Sequence, residues 1–246
     1  MALLQLEGVS KRFGQVVVAD RITFQLEEGA SVGVVGPNGA GKTSMFGIIS
    51  GDIKPDAGTL SFAGHDLHRA SVSARCRMGI GRTYQVPQPF EHMTVFENAL
   101  LAAQQGAHVH GHDSYEMAYG SLERVGLADL ANRPAGSLAL LHRKRLELAR
   151  ALSTNPRILL LDEIAGGLTD AEVVELTTII RSLQSDGIAI LWIEHVVRAL
   201  LSTVDRLLCL ANGALVADGE PREVLASDAV RTVYLGGKII NERGVA

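Results

Sequence analysis

Residues 36–43 read Gly-Pro-Asn-Gly-Ala-Gly-Lys-Thr. The octapeptide fits G-x-x-x-x-G-K-[ST] at every fixed position, through Gly36, Gly41, Lys42 and Thr43. Such a loop constrains the fold on both sides of itself, and the flanks comply. Ala30 to Val35 (ASVGVV) reads as a strand, and Ser44 to Ser50 as a helix that Gly51 can end. Glycines let the chain wrap a polyphosphate with backbone N–H groups turned inward. The N-terminus of the following helix adds partial positive charge. Gly36, Pro37, Asn38, Gly39, Ala40, Gly41, Lys42, Thr43 and Ser44 are therefore candidate nucleotide contacts. Lys42 can reach the β- and γ-phosphates, and the Thr43 hydroxyl can ligate Mg²⁺.

The 246 residues suit one large domain, or one domain with a subdomain. Hydrophobic residues make up 47 % of the chain and aromatic ones 4 %, so aliphatic side chains must fill the core. A net charge of −4 and a pI near 6.1 give no sign of a nucleic-acid surface. Cys76 and Cys209 lie too far apart in sequence for a disulfide framework or a metal spacing. The first residues, MALLQLEGVS, lack the basic start and long apolar stretch of a signal peptide. No run of about 18 apolar residues is available to span a bilayer. These features predict a cytoplasmic chain, peripheral to a membrane where a partner holds it there.

Hydrophobic periodicity divides the chain in three. Leu4 and Leu6, then Ile22, Phe24 and Leu26, alternate with polar residues as strands do, and Leu60 to Ala63 reads as a further strand. From about Val95 to Ser153 the period is helical, with Phe96, Ala99, Leu100 and Ala103 on one face. Gln105 to Tyr119 interrupts it as a polar stretch, and a helix resumes at Ser121 to Val125. Ile158 to Leu161, Ile188 to Ile193 and Arg206 to Leu210 are unalternating apolar runs, as in strands buried on both faces. Thr169-Asp170-Ala171-Glu172 is a capping-box pattern, followed by Val173, Leu176, Ile180 and Leu183 on one helix face. The sum is an α/β fold: a mixed or parallel sheet core, an antiparallel β part and a helical subdomain. The core covers about 1–85 and 154–246, and the helical subdomain about 86–153.

Nucleotide hydrolysis needs a Mg²⁺ ligand, a group that handles the attacking water and a contact to the γ-phosphate. Arg157-Ile-Leu-Leu-Leu-Asp162-Glu163 brings two carboxylates to the carboxyl end of a buried strand, where ligands gather in such folds. Asp162 can hold Mg²⁺. Glu163 can orient or deprotonate water. Leu191-Trp192-Ile193-Glu194-His195 repeats the apolar strand with a polar end, and His195 can donate a hydrogen bond to the γ-phosphate.

In this order and spacing the motifs resemble the ATPase subunits of ABC transporters, over nearly the whole chain. The resemblance implies a Q-loop glutamine at Gln85, in contact with Mg²⁺, water and the membrane subunits. It implies an adenine-stacking aromatic at Phe13 and a D-loop at Ala165 to Asp170. Asp162, Glu163 and His195 match the Walker B aspartate, the catalytic glutamate and the switch histidine. Gly81-Arg-Thr-Tyr-Gln85, Met93 to Asn98, Trp192 to His195 and Tyr234-Leu-Gly236 are similar to the branched-chain amino acid importers, a branch shared by urea and short-amide importers. The implied ligands are ATP and Mg²⁺. The implied partners are membrane permease subunits, a second ATPase subunit and, indirectly, an external solute-binding protein. The stretch from Val86 to Asn98, read as an exposed helical region, is the expected docking segment for the permease.

One motif departs from the family. Where L-S-G-G-Q is usual, this chain has Leu138-Ala139-Leu140-Leu141-His142. Glycine at the fourth place lets backbone N–H groups approach a γ-phosphate. Leu141 either sets an apolar side chain beside that charge or turns away and leaves the helix N-terminus working. Losing one hydrogen bond to a charged group costs roughly 1.5–3 kcal/mol. The expectation is an impaired signature. Because a signature serves the other subunit's loop, it is also a heterodimer whose competent site lies on this chain. A nucleotide-dependent switch with little hydrolysis of its own is the alternative. Ile164 replaces the proline usual after the catalytic glutamate. Two smaller features complete the reading. His108, His110 and His112 would share a face on a strand and could bind Zn²⁺ or Ni²⁺, but the glycines around them predict a solvated loop. Arg143-Lys144-Arg145 reads as helix surface.

Overall fold

The computed structural model describes residues 2–233; Tyr234-Leu-Gly236 lies outside the described residues. Its elements are, in chain order, strands β1 (Ala2–Phe13), β2 (Val16–Glu27) and β3 (Ser31–Val35), helix α1 (Lys42–Ser50), strands β4 (Ala57–Phe62) and β5 (His65–Asp66), helix α2 (Val72–Arg77) and strand β6 (Ile80–Arg82). Helices α3 (Val95–Ala102), α4 (His112–Arg124) and α5 (Leu140–Leu152) follow. The chain then alternates through β7 (Ile158–Asp162), α6 (Asp170–Ser185), β8 (Ala189–Ile193), α7 (Val197–Leu201), β9 (Arg206–Ala211), β10 (Ala214–Gly219) and α8 (Pro221–Ala226).

Two sheets form. The antiparallel one has the order β2-β1-β4-β5, and the larger one β10-β9-β3-β8-β7-β6. In the larger sheet β9, β3, β8, β7 and β6 run parallel, and β10 closes the edge antiparallel to β9. Successive residues of its strands serve two cores. Leu159, Leu161, Ile190 and Trp192 pack with α6 and the helical segment. Ile158, Leu160, Leu191 and Ile193 pack with α1 and the antiparallel sheet. Burial on both faces explains the unalternating apolar runs. In β2 the alternation is clean, with Ile22, Phe24 and Leu26 buried. Helices α3, α4 and α5 pack on one another between β6 and β7 of the chain.

The polar stretch Gln105–Tyr119 differs from its reading as an interruption. A π-type turn covers Ala103–Ala107, His108 takes a left-handed conformation (φ 62°), and α4 has already begun at His112. Its buried face consists of Ser114, Ala118, Ser121 and Leu122. Small and hydroxyl residues fill that face, so a hydrophobic period underreports it. His112 pairs with Glu116 one turn on, at 3.1 Å. Among the described residues no group of three His, Cys, Asp or Glu side chains comes together. Residues 86–94 carry no helix; α3 starts at Val95, capped by Thr94. No helix among the described residues is long and apolar enough to cross a membrane.

Helix α6 starts where the sequence pattern places it. The Thr169 hydroxyl accepts from Glu172 N, while the Glu172 carboxylate accepts from Thr169 N at 2.8 Å. Val173, Leu176, Ile180 and Leu183 are its buried face. Thr169→Ala should lower stability by about 1 kcal/mol and Thr169→Ser by much less. Urea denaturation of the two variants measures the difference.

Candidate nucleotide site

The loop between β3 and α1 is gripped from two sides. Gly36 has φ 150°, and a Cβ there would stand 2.1 Å from the Leu210 carbonyl oxygen. Gly41 has φ 100°, and a Cβ there would stand 2.1 Å from the Val18 carbonyl oxygen. Only glycine satisfies both the dihedral and the space. The turn after β9 ties the grip together: Gly213 N donates to Ala40 O at 3.0 Å, and Asp20 N donates to Gly213 O at 2.8 Å. The first turn of α1 follows, with its N–H groups at the loop.

Above the loop lies an open cleft of about 680 Å³. Asn38 to Ser44 line it, with Val16, Val18, Gln85, Glu163 and His195 on the other walls. Thr43 is exposed to it, and Ser44 is half-buried. Lys42 is buried, and its ammonium donates to Gly36 O at 2.7 Å and Pro37 O at 3.1 Å. Burial pushes the Lys42 ammonium below its usual range, against the carboxylates of Glu163 and Asp162, which raise it.

Asp162 ends β7 at 2 % exposure. Its backbone N–H donates to the Thr83 hydroxyl at 3.3 Å, and its Oδ2 lies 3.6 Å from the Arg82 guanidinium. Arg82 is held in turn by Ser50 and Asp52 at 2.8 and 2.7 Å. Asp162 Oδ1 is buried without a protein partner. A buried carboxylate oxygen of that kind fits a cation ligand. Burial pushes the Asp162 carboxyl up, opposed by Arg82.

Glu163 follows in a left-handed conformation (φ 48°), rare for a residue with a side chain. Its N–H donates to Ile193 O at 2.9 Å, and its side chain turns to the cleft. Gln85 Nε2 donates to one carboxylate oxygen at 2.5 Å, and His195 Nε2 lies 2.6 Å from the other. Three residues from the ends of β6, β7 and β8 thus converge on one wall. Such an arrangement can orient a water against a phosphate beyond Lys42.

The sequence-predicted residues fall as follows. Gly36 to Ser44, Asp162, Glu163, His195 and Gln85 come together. Phe13 does not line the cleft; it is 52 % exposed at the end of β1, with Lys11 Nζ 5.2 Å from its ring centre. Val16, its partner across the hairpin, and Val18 are the apolar wall. Reading the aromatic alone missed them, although both stand on the strand that pairs with Phe13.

The segment Leu138–His142 also differs from expectation. Ala139 is the N-cap of α5 and provides no side-chain cap. Leu141 is only 8 % exposed, so its side chain turns into the protein, while Leu140 is the exposed one at 44 %. The basic run that follows is not helix surface. Arg143 donates to Leu138 O and Gly136 O, Lys144 is 4 % exposed, and Arg145 pairs with Glu175.

Comparison with known proteins agrees with this geometry. A family model described as "ABC transporter" matches residues 19–166. The high-affinity branched-chain amino acid transport ATP-binding protein BraF of Pseudomonas aeruginosa is 33 % identical, over 95 % of this chain and 98 % of its own. LivG of Escherichia coli K12, which carries the same description, is 34 % identical over the same shares. The lipopolysaccharide export system ATP-binding protein LptB of Escherichia coli K12 is 32 % identical over 96 % and 98 %. Among solved structures, the ADP conformation of an ATP-binding cassette of an ABC transporter superposes with a TM-score of 0.86 at 30 % identity, covering 96 % and 99 %.

Burial raises the folded-state pKa of Asp162 above its unfolded value, so the native chain binds the extra proton. The contribution of this carboxyl to stability therefore falls as pH rises from the ordinary aspartate range through the raised value. Asp162→Asn should raise the Tm of the nucleotide-free chain at neutral pH, and the gain should shrink as pH is lowered toward that ordinary range. Calorimetry of both chains across pH measures it.

Proposed function

The chain belongs to the ABC transporter family of ATP-binding proteins, and from that premise we propose that it energises a membrane importer of branched-chain amino acids or a related small polar solute. It is an ATPase. The observation that carries the catalytic reading is the Glu163 carboxylate held between Gln85 and His195 at the rim of the phosphate-loop cleft. Glu163 takes the proton of the attacking water. His195 donates to the γ-phosphate. Lys42 exchanges the carbonyls of Gly36 and Pro37 for phosphate oxygens. Thr43, Gln85 and Asp162 would hold Mg²⁺, and the buried, unpartnered Asp162 Oδ1 fits a cation ligand. When bound, Mg²⁺ offsets charge on the β- and γ-phosphate oxygens. Val16 and Val18 offer the apolar wall for the base.

BraF and LivG support the solute class by their printed names. LptB, nearly as similar, is named for lipopolysaccharide export. Solute uptake by the complex is therefore the discriminating measurement. Permease subunits would dock beside Gln85, where Tyr84, Val86 and Phe90 are exposed hydrophobics next to a groove lined by Leu101, Ala102 and Arg150. Docking there holds the chain at the cytoplasmic face of the membrane, with an external binding protein acting through the permease. The core (1–85 and 154–246) and the helical subdomain (86–153) are the units that such docking would move.

A heterodimer remains the favoured assembly. Leu141 stands where glycine lets backbone N–H groups approach a γ-phosphate, so this chain would serve a partner's loop poorly while its own loop is whole. Leu141 itself is no steric block, because its side chain is buried.

Glu163→Gln should leave nucleotide affinity within about twofold and slow turnover by about 10²–10⁴-fold, the usual worth of a general base. Equal turnover would remove Glu163 from that role. In the two-ATPase complex the same substitution should abolish most turnover, and the equivalent change in the second ATPase should cost little. Equal losses would refute the asymmetric assembly.

A further inference from the structure

Glu194 is a carboxylate at 1 % exposure, directly after the apolar strand β8. Burying such a charge is costly unless donors satisfy it. Three backbone N–H groups do. One oxygen accepts from Ala165 N at 2.7 Å. The other accepts from His195 N at 2.9 Å and Val196 N at 3.2 Å. The first donor belongs to the turn that follows Glu163, and the other two to the turn that carries His195. Glu194 N itself donates to Val34 O at 3.4 Å, on the strand beneath the phosphate loop.

A buried cation, Lys144 of α5 at 4 % exposure, lies against the first of these turns. Its ammonium donates to Glu163 O at 3.5 Å and feels the charges of both Glu194 and Glu163. Burial lowers the Lys144 pKa, and these two carboxylates oppose the shift. Lys144 therefore meets the backbone of one turn and the countercharge of the other.

The 2.6 Å contact between Glu163 and His195 depends on the relative placement of these two turns. Glu163 is also held in a left-handed conformation that ordinary backbone preference disfavours. A single carboxylate that accepts from both turns can hold that placement.

We propose that Glu194 is a positioning residue for hydrolysis: its carboxylate ties the Ala165 turn to the His195 turn, keeps Glu163 and His195 in register, and takes its countercharge from Lys144. Glu194 is buried and does not line the cleft. The inference rests on Glu163 as the group that handles water. Because Lys144 rides on α5, whose first turn holds Leu140 to His142, a shift of that helix changes the contact of Lys144 with the Glu163 carbonyl, which gives α5 a route to the catalytic wall within its own subunit.

The test uses the full chain with Mg-ATP and the variants Glu194→Gln, Lys144→Met and their double. A glutamine matches the shape but can accept on one side only. Glu194→Gln should lower kcat by about tenfold or more, as for loss of a hydrogen bond to a charged group, with KM for ATP within about twofold. Amide exchange should accelerate at Ala165, His195 and Val196, with the other strand amides of β7 and β8 unchanged. Lys144→Met should also lower kcat, and the double variant should fall well short of the product of the single losses. Unchanged kcat and exchange in Glu194→Gln would overturn the clamp, as would a fall in kcat matched by a general rise in exchange across both strands. Additive losses would separate Lys144 from it. A wild-type chain that binds nucleotide without turnover, alone and in its complex, would refute the hydrolytic reading of Glu163, and the exchange comparison would still decide the clamp.

Discussion

The carbonyl oxygens of Leu210 and Val18 press on the phosphate loop from opposite sides, at Gly36 and at Gly41. One comes from the parallel sheet and the other from the antiparallel sheet. The loop can therefore take its shape only when both sheets are folded and in contact. The hydrogen bonds that Gly213 N donates to Ala40 O and Asp20 N donates to Gly213 O make the same junction from the backbone. Once the loop is fixed, the direction of α1 is fixed, and with it the corner toward which β6, β7 and β8 must deliver side chains. An added methyl group at either glycine would collide with backbone, which cannot swing aside as a side chain can.

The parallel sheet supplies that corner by geometry alone. Strands β3, β8, β7 and β6 all point their carboxyl ends the same way. Each ends in a short segment that has lost its ladder partners and is free to present a polar group. Asp162 stays inside the sheet's last pair with Ile193, so it is buried and rigid. Glu163, one residue later, leaves the strand through a left-handed turn and reaches the cleft. One residue of chain thus separates a buried, fixed carboxylate from one whose side chain faces the cleft.

Much of this was legible in the sequence, for definite reasons. The octapeptide at 36–43 fixes both backbone and ligand class. The runs at 158–161, 188–193 and 206–210 have no polar phase because both sheet faces are covered. Thr169 and Glu172 spell a helix start. What escaped was written in residues whose meaning depends on distant neighbours. Lys144 reads as surface between two arginines until the fold buries it against the Glu163 carbonyl. Leu141 reads as an obstruction until α5 is seen to turn it inward. The start of α4 hides behind serines and alanines that pack well and score as polar or neutral. Phe13 stands at the end of β1 outside the cleft lining, to which the hairpin adds Val16 and Val18. In each case local pattern gives the element, and only tertiary contact gives the direction of the side chain.

Charge balance at the strand ends shows why so many chain segments must meet there. Four carboxylates, Asp52, Asp162, Glu163 and Glu194, stand near three cations, Lys42, Arg82 and Lys144. The opposite charges nearly balance without ligand, with one negative charge in excess, which lets the cluster remain buried or half-buried. A polyphosphate adds several negative charges to this corner. Protein cations already spent on carboxylates cannot absorb them all. The N–H groups at the N-terminus of α1 would take a share, because they bear partial positive charge with no counter-ion to lose. On the proposed reading a divalent cation beside Asp162, whose buried Oδ1 has no protein donor, would offset the rest. Binding thus redistributes partners within the cluster. On the proposed reading Lys42 would leave the carbonyls of Gly36 and Pro37 and Gln85 would leave Glu163, while Glu194 would keep its three backbone donors. The members that exchange partners are the ones that face the cleft, and the member that does not is the one sealed behind it.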